Sequence, residues 1–335
     1  MPRVSIVGTT TWGTTLAIHH ARNNVPTTLL TQTPEETQRL LIAREHSRFL
    51  PDVPFPRQLN VTHDREEALG GAVVIILAVP SQRFRENLLW IRDSIDDSPI
   101  ILSATKGLEE ATSKRMSQLI SEELPERLTR RLCVLSGPNL AMEVIAQKPV
   151  SSVIASVDGE AAKVVQNIIM SPTFRVYTND DVVGTELGGA LKNVIALSCG
   201  ICDGLGYGDN AKSALITRGL AEITRLGIAA GANSLTFVGL AGLGDLVATC
   251  SSALSRNRYV GEELSKGRPL NEILAPMKTI AEGVATTKAA LKMAKNLDVD
   301  MPITKATFRV LFEDLDVNQA IAELLGRPPK AENRT

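Results

Sequence analysis

The chain has 335 residues, with 36 Lys+Arg against 37 Asp+Glu, a formal net charge of −1, and 44% hydrophobic residues. That composition predicts a globular protein of two domains, and so even a charge balance, with no block of about five like charges, argues against nucleic acid as a partner. The longest apolar run, Ala72 to Val79, is less than half the roughly 20 residues a bilayer-spanning helix requires, so no membrane insertion is expected. In chain order, the opening MPRVSIVG enters strand-like sequence at once, without the basic and apolar segments of a secretory signal, which predicts a cytoplasmic protein.

Over the first half, short runs rich in β-branched residues alternate with amphipathic stretches. The expected strands are Val4–Val7, Thr27–Leu30, Val73–Ala78, Ile100–Ser103, Cys133–Ser136, Ser152–Ala155 and Arg175–Tyr177. Between them fall expected helices at Gly13–Arg22, Pro34–Ala43, Ser81–Ile91, Thr112–Glu123, Ala141–Ile145 and Glu160–Met170. This alternation predicts βαβ units on a mostly parallel sheet, and near-continuous apolar strands predict cover on both of its faces.

After Asp181 helical spacing takes over, with breaks expected at Gly204–Asn210, Ala230–Asn233, Gly267–Pro269 and Asp300–Pro302. The expected organisation is an α/β Rossmann-type nucleotide-binding domain at 1–181, an all-α substrate and catalytic domain at 182–326, and a disordered polar tail at 327–335.

The first strand runs into GTTTWGT beginning at Gly8, then a helix and a second strand, the setting in which G-x-G-x-x-G binds a dinucleotide pyrophosphate. Gly8 and Gly13 hold the first and third glycine positions. Thr10 stands at the second, where its side chain is expected to shift the cofactor or donate a hydrogen bond to it. At the end of the second strand, around Gln32, there is neither a carboxylate for the ribose of NAD nor an Arg for the 2′-phosphate of NADP, which leaves the choice open.

All four histidines lie within the first 63 residues, so an acid/base for carbonyl chemistry in the second half falls to Lys or a carboxylate. Two lysines stand beside glycines in apolar surroundings: Lys106 in SATKGLE, just past a strand end, and Lys192 in ELGGALKN. Further on, GLAGLGDLVATC reads as a glycine-shaped loop presenting Asp245, and Ser255, Arg256 and Asn257 supply donors suited to a phosphate monoester. The Cys199/Cys202 pair lies in helix-like apolar sequence and reads as buried core, and no Cys or His spacing predicts a metal site.

These strings, together with LAVPS, LSGPN, GDNAKSALITRG and AEGVATT, extend from residue 4 to about residue 305. In this order they resemble the NAD(P)-dependent glycerol-3-phosphate dehydrogenase family in its bacterial form. The resemblance implies a Rossmann-type domain and a helical domain with the active site in the cleft between them, and reversible reduction of dihydroxyacetone phosphate to sn-glycerol 3-phosphate, which feeds phospholipid synthesis. Carried over position by position, it implies Lys192 as proton donor and acceptor at the substrate C2 oxygen, Lys106 near nicotinamide and substrate, and Asp245 orienting the lysine. Gly137, Asn139, Asn193, Thr249, Ser255, Arg256 and Asn257 would hold the substrate. Gly8, Thr10, Thr11, Trp12, Gly13, Gln32, Lys106, Ala141, Arg256, Ile280 and Glu282 would meet the cofactor, NAD or NADP, with NADP slightly favoured by the family. The chain departs from the family at Thr10 (usually Gly), Gln32 (usually Arg) and Asn139 (Ser or Thr). A homodimer is also implied. Two other readings remain: a β-hydroxyacid dehydrogenase or ketopantoate-reductase-like enzyme acting on a carboxylate, and a non-catalytic dinucleotide sensor.

Overall fold

The computed structural model describes residues 2–96, 98–277, 279–329 and 331–332. The chain divides into two compact units, one of Met1–Lys106 with Arg115–Thr185, the other of Gly107–Lys114 with Glu186–Thr335. The short segment Gly107–Lys114, which the sequence places in the first domain, therefore belongs to the second unit. It is tied there by Lys288 Nζ to Glu110 Oε1 at 3.0 Å and by Lys292 Nζ donating to the Ala111 carbonyl at 2.5 Å.

The first unit is built on an eight-stranded sheet. Its strands in chain order are β1 (Val4–Val7), β2 (Thr27–Leu30), β5 (Leu59–Thr62), β6 (Val74–Leu77), β7 (Ile100–Ser103), β8 (Cys133–Ser136), β9 (Val150–Ala155) and β10 (Phe174–Asn179), with β3 (Glu45–His46) and β4 (Leu50–Pro54) forming a separate hairpin. Spatial order is β10-β9-β8-β7-β6-β1-β2-β5, parallel throughout except where β9 pairs antiparallel with β8. Alternate residues bury on opposite faces, as a period of two requires. Val4, Ile6, Val74, Ile76, Ile100 and Leu102 join one core with Leu16 and Ile18 of α1 (Thr11–Arg22). Val7, Ile75, Leu77 and Ile101 join another with Phe84, Leu88 and Ile91 of the helix Phe84–Ile91.

β5 and the β3/β4 hairpin are absent from the sequence expectations. LNVT offers too few apolar positions to show a period, and Pro51 and Pro54 disguise β4, since proline is kept from central strands. From β1 the chain moves outward to β2 and β5, then returns to β6 on the other side of β1. That reversal puts the ligand-binding crevice of such sheets at the carboxyl ends of β1 and β6.

The second unit is helical. Its long helix Val182–Gly204 is crossed so closely by the helix Arg256–Ser265 that a β-carbon on Gly200 would lie 1.9 Å from the Arg258 carbonyl oxygen, and one on Gly261 2.0 Å from that of Leu197. Glycine at these positions lets the two backbones touch. Cys199 and Cys202 lie buried in the long helix. Glu222, on the helix Gly208–Ala229 and 1% exposed, accepts the backbone N–H groups of Ile303 and Thr304 at 2.9 Å each and so caps the helix Pro302–Phe312. Of the tail, residues 330 and 333–335 lie outside the described residues, and Arg327 pairs with Asp300 at 2.6 Å.

Candidate active site

In the first unit the loop after β1 is shaped by two glycines. Gly8 has φ +116°, and a β-carbon there would meet the Ala78 carbonyl oxygen at 2.6 Å; one on Gly13 would meet the Gly8 carbonyl oxygen at 2.0 Å. The turn and the start of α1 therefore pack against each other as only glycines allow. Thr10 is the N-cap of α1: its Oγ1 accepts the Gly13 N–H at 3.0 Å and donates to the Ala78 carbonyl at 2.7 Å. Of the two roles expected for this side chain, shifting the cofactor or donating a hydrogen bond to it, the second would require the hydroxyl to leave the Ala78 carbonyl. Thr11 and Trp12 occupy the first turn, whose backbone N–H groups have no intrahelical partner and, with the helix dipole, favour an anion. Gly8, Gly13 and this open helix start fit a dinucleotide pyrophosphate.

The carboxyl ends of neighbouring strands are cross-braced. Thr10 bonds to Ala78 past β6, Thr105 Oγ1 past β7 accepts the Val79 N–H at 3.2 Å and donates to its carbonyl at 2.8 Å, and Lys106 Nζ donates to the Gly137 carbonyl past β8 at 2.7 Å. Thr105 escaped the sequence reading; its only signal is a hydroxyl at a strand end beside Lys106. Asn139 Oδ1 accepts the Ser152 hydroxyl, while its buried Nδ2 has no partner among the described residues. That is an unspent donor at a position expected to touch substrate. Ala141 opens the helix Ala141–Ile145. Gln32 turns to the helix Phe84–Ile91, where its Nε2 donates to Asn87 Oδ1 at 2.9 Å.

In the second unit Lys192 sits near the middle of the long helix and is 6% exposed. Its Nζ lies 2.8 Å from Asp245 Oδ1 and donates to Thr249 Oγ1 at 2.6 Å, while the Thr249 hydroxyl donates to Asp245 Oδ1 at 3.3 Å. The three groups form a closed triangle. An ammonium has three donors, and among the described residues no third partner for Lys192 occurs.

The glycine-rich stretch before Asp245 differs from the expected loop. Leu240–Gly244 winds as a single π-type turn, and Asp245 is the first residue of the helix Asp245–Ser251 that follows. Gly188 makes room for it, because a β-carbon there would lie 2.5 Å from the Ala241 carbonyl oxygen. Glycines thus bring the turn against the long helix one turn before Lys192, and Asp245 and Thr249, four residues apart, share the helix face that meets it.

Beside this triangle runs a second chain of hydrogen bonds. The Gly283 N–H donates to Asn257 Oδ1 at 3.0 Å, and Asn257 Nδ2 donates to Asn193 Oδ1 at 2.9 Å. Ser255 caps the helix Arg256–Ser265 by accepting the Arg258 N–H at 3.3 Å. Arg256, the first residue of that helix, is open at the surface. Surrounding protein lowers its pKa by desolvation, against the opposing pull of Glu282. Among the described residues its guanidinium has no ion-pair or hydrogen-bond partner, so it remains available to a ligand phosphate. Ile280 is exposed just before Glu282, which opens the helix Glu282–Asn296.

Residues 3–162 match the model of the NAD-dependent glycerol-3-phosphate dehydrogenase N-terminus and residues 181–322 that of its C-terminus. A protein of Dehalococcoides mccartyi named NAD(P)+ glycerol-3-phosphate dehydrogenase is 49% identical over 326 residues, 97% of this chain and 91% of its own. One of the same name from Geobacter metallireducens is 47% identical, covering 98% of each chain. The crystal structure of glycerol-3-phosphate dehydrogenase from Coxiella burnetii superposes with a TM-score of 0.92 at 37% identity, over 97% of this chain and 99% of that one. With both of its compact units matched, the chain belongs to the NAD-dependent glycerol-3-phosphate dehydrogenase family.

Proposed function

We propose that this chain catalyses the reversible, NAD(P)H-dependent reduction of dihydroxyacetone phosphate to sn-glycerol 3-phosphate, with Lys192 as the general acid and base. The observation that carries this reading is the buried Lys192, Asp245 and Thr249 triangle, which leaves one ammonium N–H unspent. A bound nicotinamide supplies the hydride to the carbonyl carbon, or takes it back. Lys192 gives its free proton to the C2 oxygen as negative charge develops there, and recovers it from the hydroxyl in the reverse direction. Asp245 and Thr249 hold the other two N–H directions, so that the third has one orientation. Arg256, Ser255 and Asn257 bind the substrate phosphate, and Asn193 is fixed by Asn257 so that its amide points one way. In the first unit, Lys106 and the free Nδ2 of Asn139 stand past the carboxyl ends of β7 and β8 as further ligand-binding groups.

Thr11, Trp12, Ala141, Ile280 and Glu282 complete the cofactor contacts in this reading. The product supplies glycerophospholipid synthesis, and the protein works in the cytoplasm as a homodimer, a state that sedimentation velocity reads directly. The test of function is the loss of reduced nicotinamide on adding dihydroxyacetone phosphate, with NADH and NADPH run in parallel beside a panel of 2-keto acids. Consumption with the phosphate substrate alone is expected. Turnover of a keto acid instead would move the chain to a carboxylate substrate, and binding of cofactor without turnover of any substrate would make it a sensor.

A further inference from the structure

The corner of the first unit where β2 ends holds a carboxylate with no role in the site described above. β1 and β2 pair in parallel with Val7 beside Leu30, so Gly8–Thr9 and Thr31–Gln32 leave the sheet side by side. Into this corner reaches Glu36, the third residue of α2 (Pro34–Ala43). Its Oε1 accepts the Thr9 hydroxyl at 2.8 Å and its Oε2 the Gln32 backbone N–H at 3.4 Å. Thr33 caps α2 by accepting the Glu36 N–H at 3.2 Å, which fixes the backbone from which the carboxylate projects. The sequence shows no acid at the strand end itself, because this one arrives from the following helix.

A carboxylate has about four acceptor positions. Hydrogen bonds within the protein engage two, and the side chain keeps 20% exposure. In sheets of this winding the pyrophosphate lies at the start of α1 and the adenosine ribose toward the end of β2, where a carboxylate bonds the ribose 2′-OH. We propose that Glu36 is the specificity-determining residue for the dinucleotide, accepting the 2′-OH of NAD(H) and repelling the 2′-phosphate of NADP(H). The assignment rests on the dinucleotide reading of the first unit. Arg39, the nearby cation on α2, lies 3.9 Å from Glu36 Oε1. The carboxylate therefore also engages the guanidinium that a 2′-phosphate would need.

The test measures dissociation constants of NADH and NADPH by nicotinamide fluorescence, without substrate, for the wild type, Glu36→Gln and Glu36→Gln/Arg39→Ala. Glutamine keeps an oxygen acceptor for Thr9 and for a ribose hydroxyl while removing the charge. The wild type should prefer NADH. Glu36→Gln should tighten NADPH about tenfold and change NADH less than about threefold, and the added Arg39→Ala should reverse most of the NADPH gain. A wild type that prefers NADPH overturns the assignment. So does a Glu36→Gln protein whose two constants move together or not at all, which would make Glu36 only a brace for the loop. A wild type that binds neither dinucleotide overturns the reading of the first unit, and this assignment with it.

Discussion

The phosphate loop of the first unit and the lysine triangle of the second solve opposite problems. Around Gly8 to Gly13 the ligand-facing groups are backbone N–H donors, and the side chains serve to hold that backbone: Thr10 spends its hydroxyl on Gly13 and Ala78. Around Lys192 the backbone is ordinary helix and the chemistry lies in three side-chain termini, packed 2.6 to 3.3 Å apart. A site made of backbone tolerates a change of side chain wherever the path of the chain survives. One made of side chains tolerates almost none. This accounts for the loop accommodating a threonine at the second position of its G-x-G-x-x-G setting.

The sharpest test of that contrast is Lys192→Ala. With the proton donor gone, turnover should fall by about three orders of magnitude, within the range for a general acid. NADH affinity, in which Lys192 has no assigned contact, should change little. The substitution also leaves Asp245 buried without its cation, a cost of about 3–5 kcal/mol in stability. Lys192→Met with Asp245→Leu should then melt above either single variant while remaining inactive. Near-normal kcat in Lys192→Ala would remove the general acid from the proposed mechanism.

The converse perturbation adds one carbon to the loop. Gly13→Ala places a methyl 2.0 Å from the Gly8 carbonyl oxygen, so the turn or α1 must move. A loss of about 3 kcal/mol in stability is expected, at the upper end for overpacking. Dinucleotide affinity should drop at least about tenfold, read by fluorescence titration beside a melting curve. An unchanged affinity would show that the backbone path is not what binds.

The sequence exposes these two regions unequally. The βαβ alternation is legible because buried parallel strands such as VIIL are continuous apolar runs, and the helical half because its breaks fall at glycine, proline and asparagine. β5 and the hairpin are not, since LNVT and LPDVP carry no clear period. Lys192 and Asp245 can be picked out by their glycine-rich surroundings. The triangle they form with Thr249 cannot, because it depends on a π-type turn against Gly188 that only the packing of two segments over 50 residues apart defines. Glu36 is hidden for a related reason: its carboxylate serves a corner whose other members come from the ends of β1 and β2.

A pH titration probes the scaffold on which the loop rests. His20, buried in α1, donates through Nδ1 to the Leu16 carbonyl at 2.6 Å, which leaves a buried Nε2 without a partner among the described residues. Burial is the main cause that lowers its pKa to about 3, with His19 adding to the effect. The unfolded chain takes up a proton below about pH 6.5 that the folded chain refuses until about pH 3, so stability is full above neutrality and falls as the pH drops. At pH 5 the loss from this one group is about 2 kcal/mol. His19 and His46 are shifted in the same direction, chiefly by burial. His20→Leu should flatten the acid side of the stability curve by that amount in urea titrations at pH 7 and pH 5. An unaltered curve would assign the acid sensitivity elsewhere.

The smallest effect is the most telling about the loop. Thr10→Gly supplies the middle glycine of G-x-G-x-x-G and Thr10→Ala removes the hydroxyl while keeping a β-carbon. The hydroxyl is the N-cap of α1 and ties it to Ala78, so Thr10→Ala should cost about 1 kcal/mol of stability, and Thr10→Gly only a few tenths more or less than wild type. Neither should alter NADH affinity by more than about threefold, because neither moves the N–H groups of Thr11 and Trp12. A large loss of affinity in Thr10→Ala without a matching loss of stability would mean that the hydroxyl meets the cofactor after all. Equal affinities across all three residues would show that the second position of this loop is held by the backbone alone, and that threonine there strengthens the helix start without weakening the site.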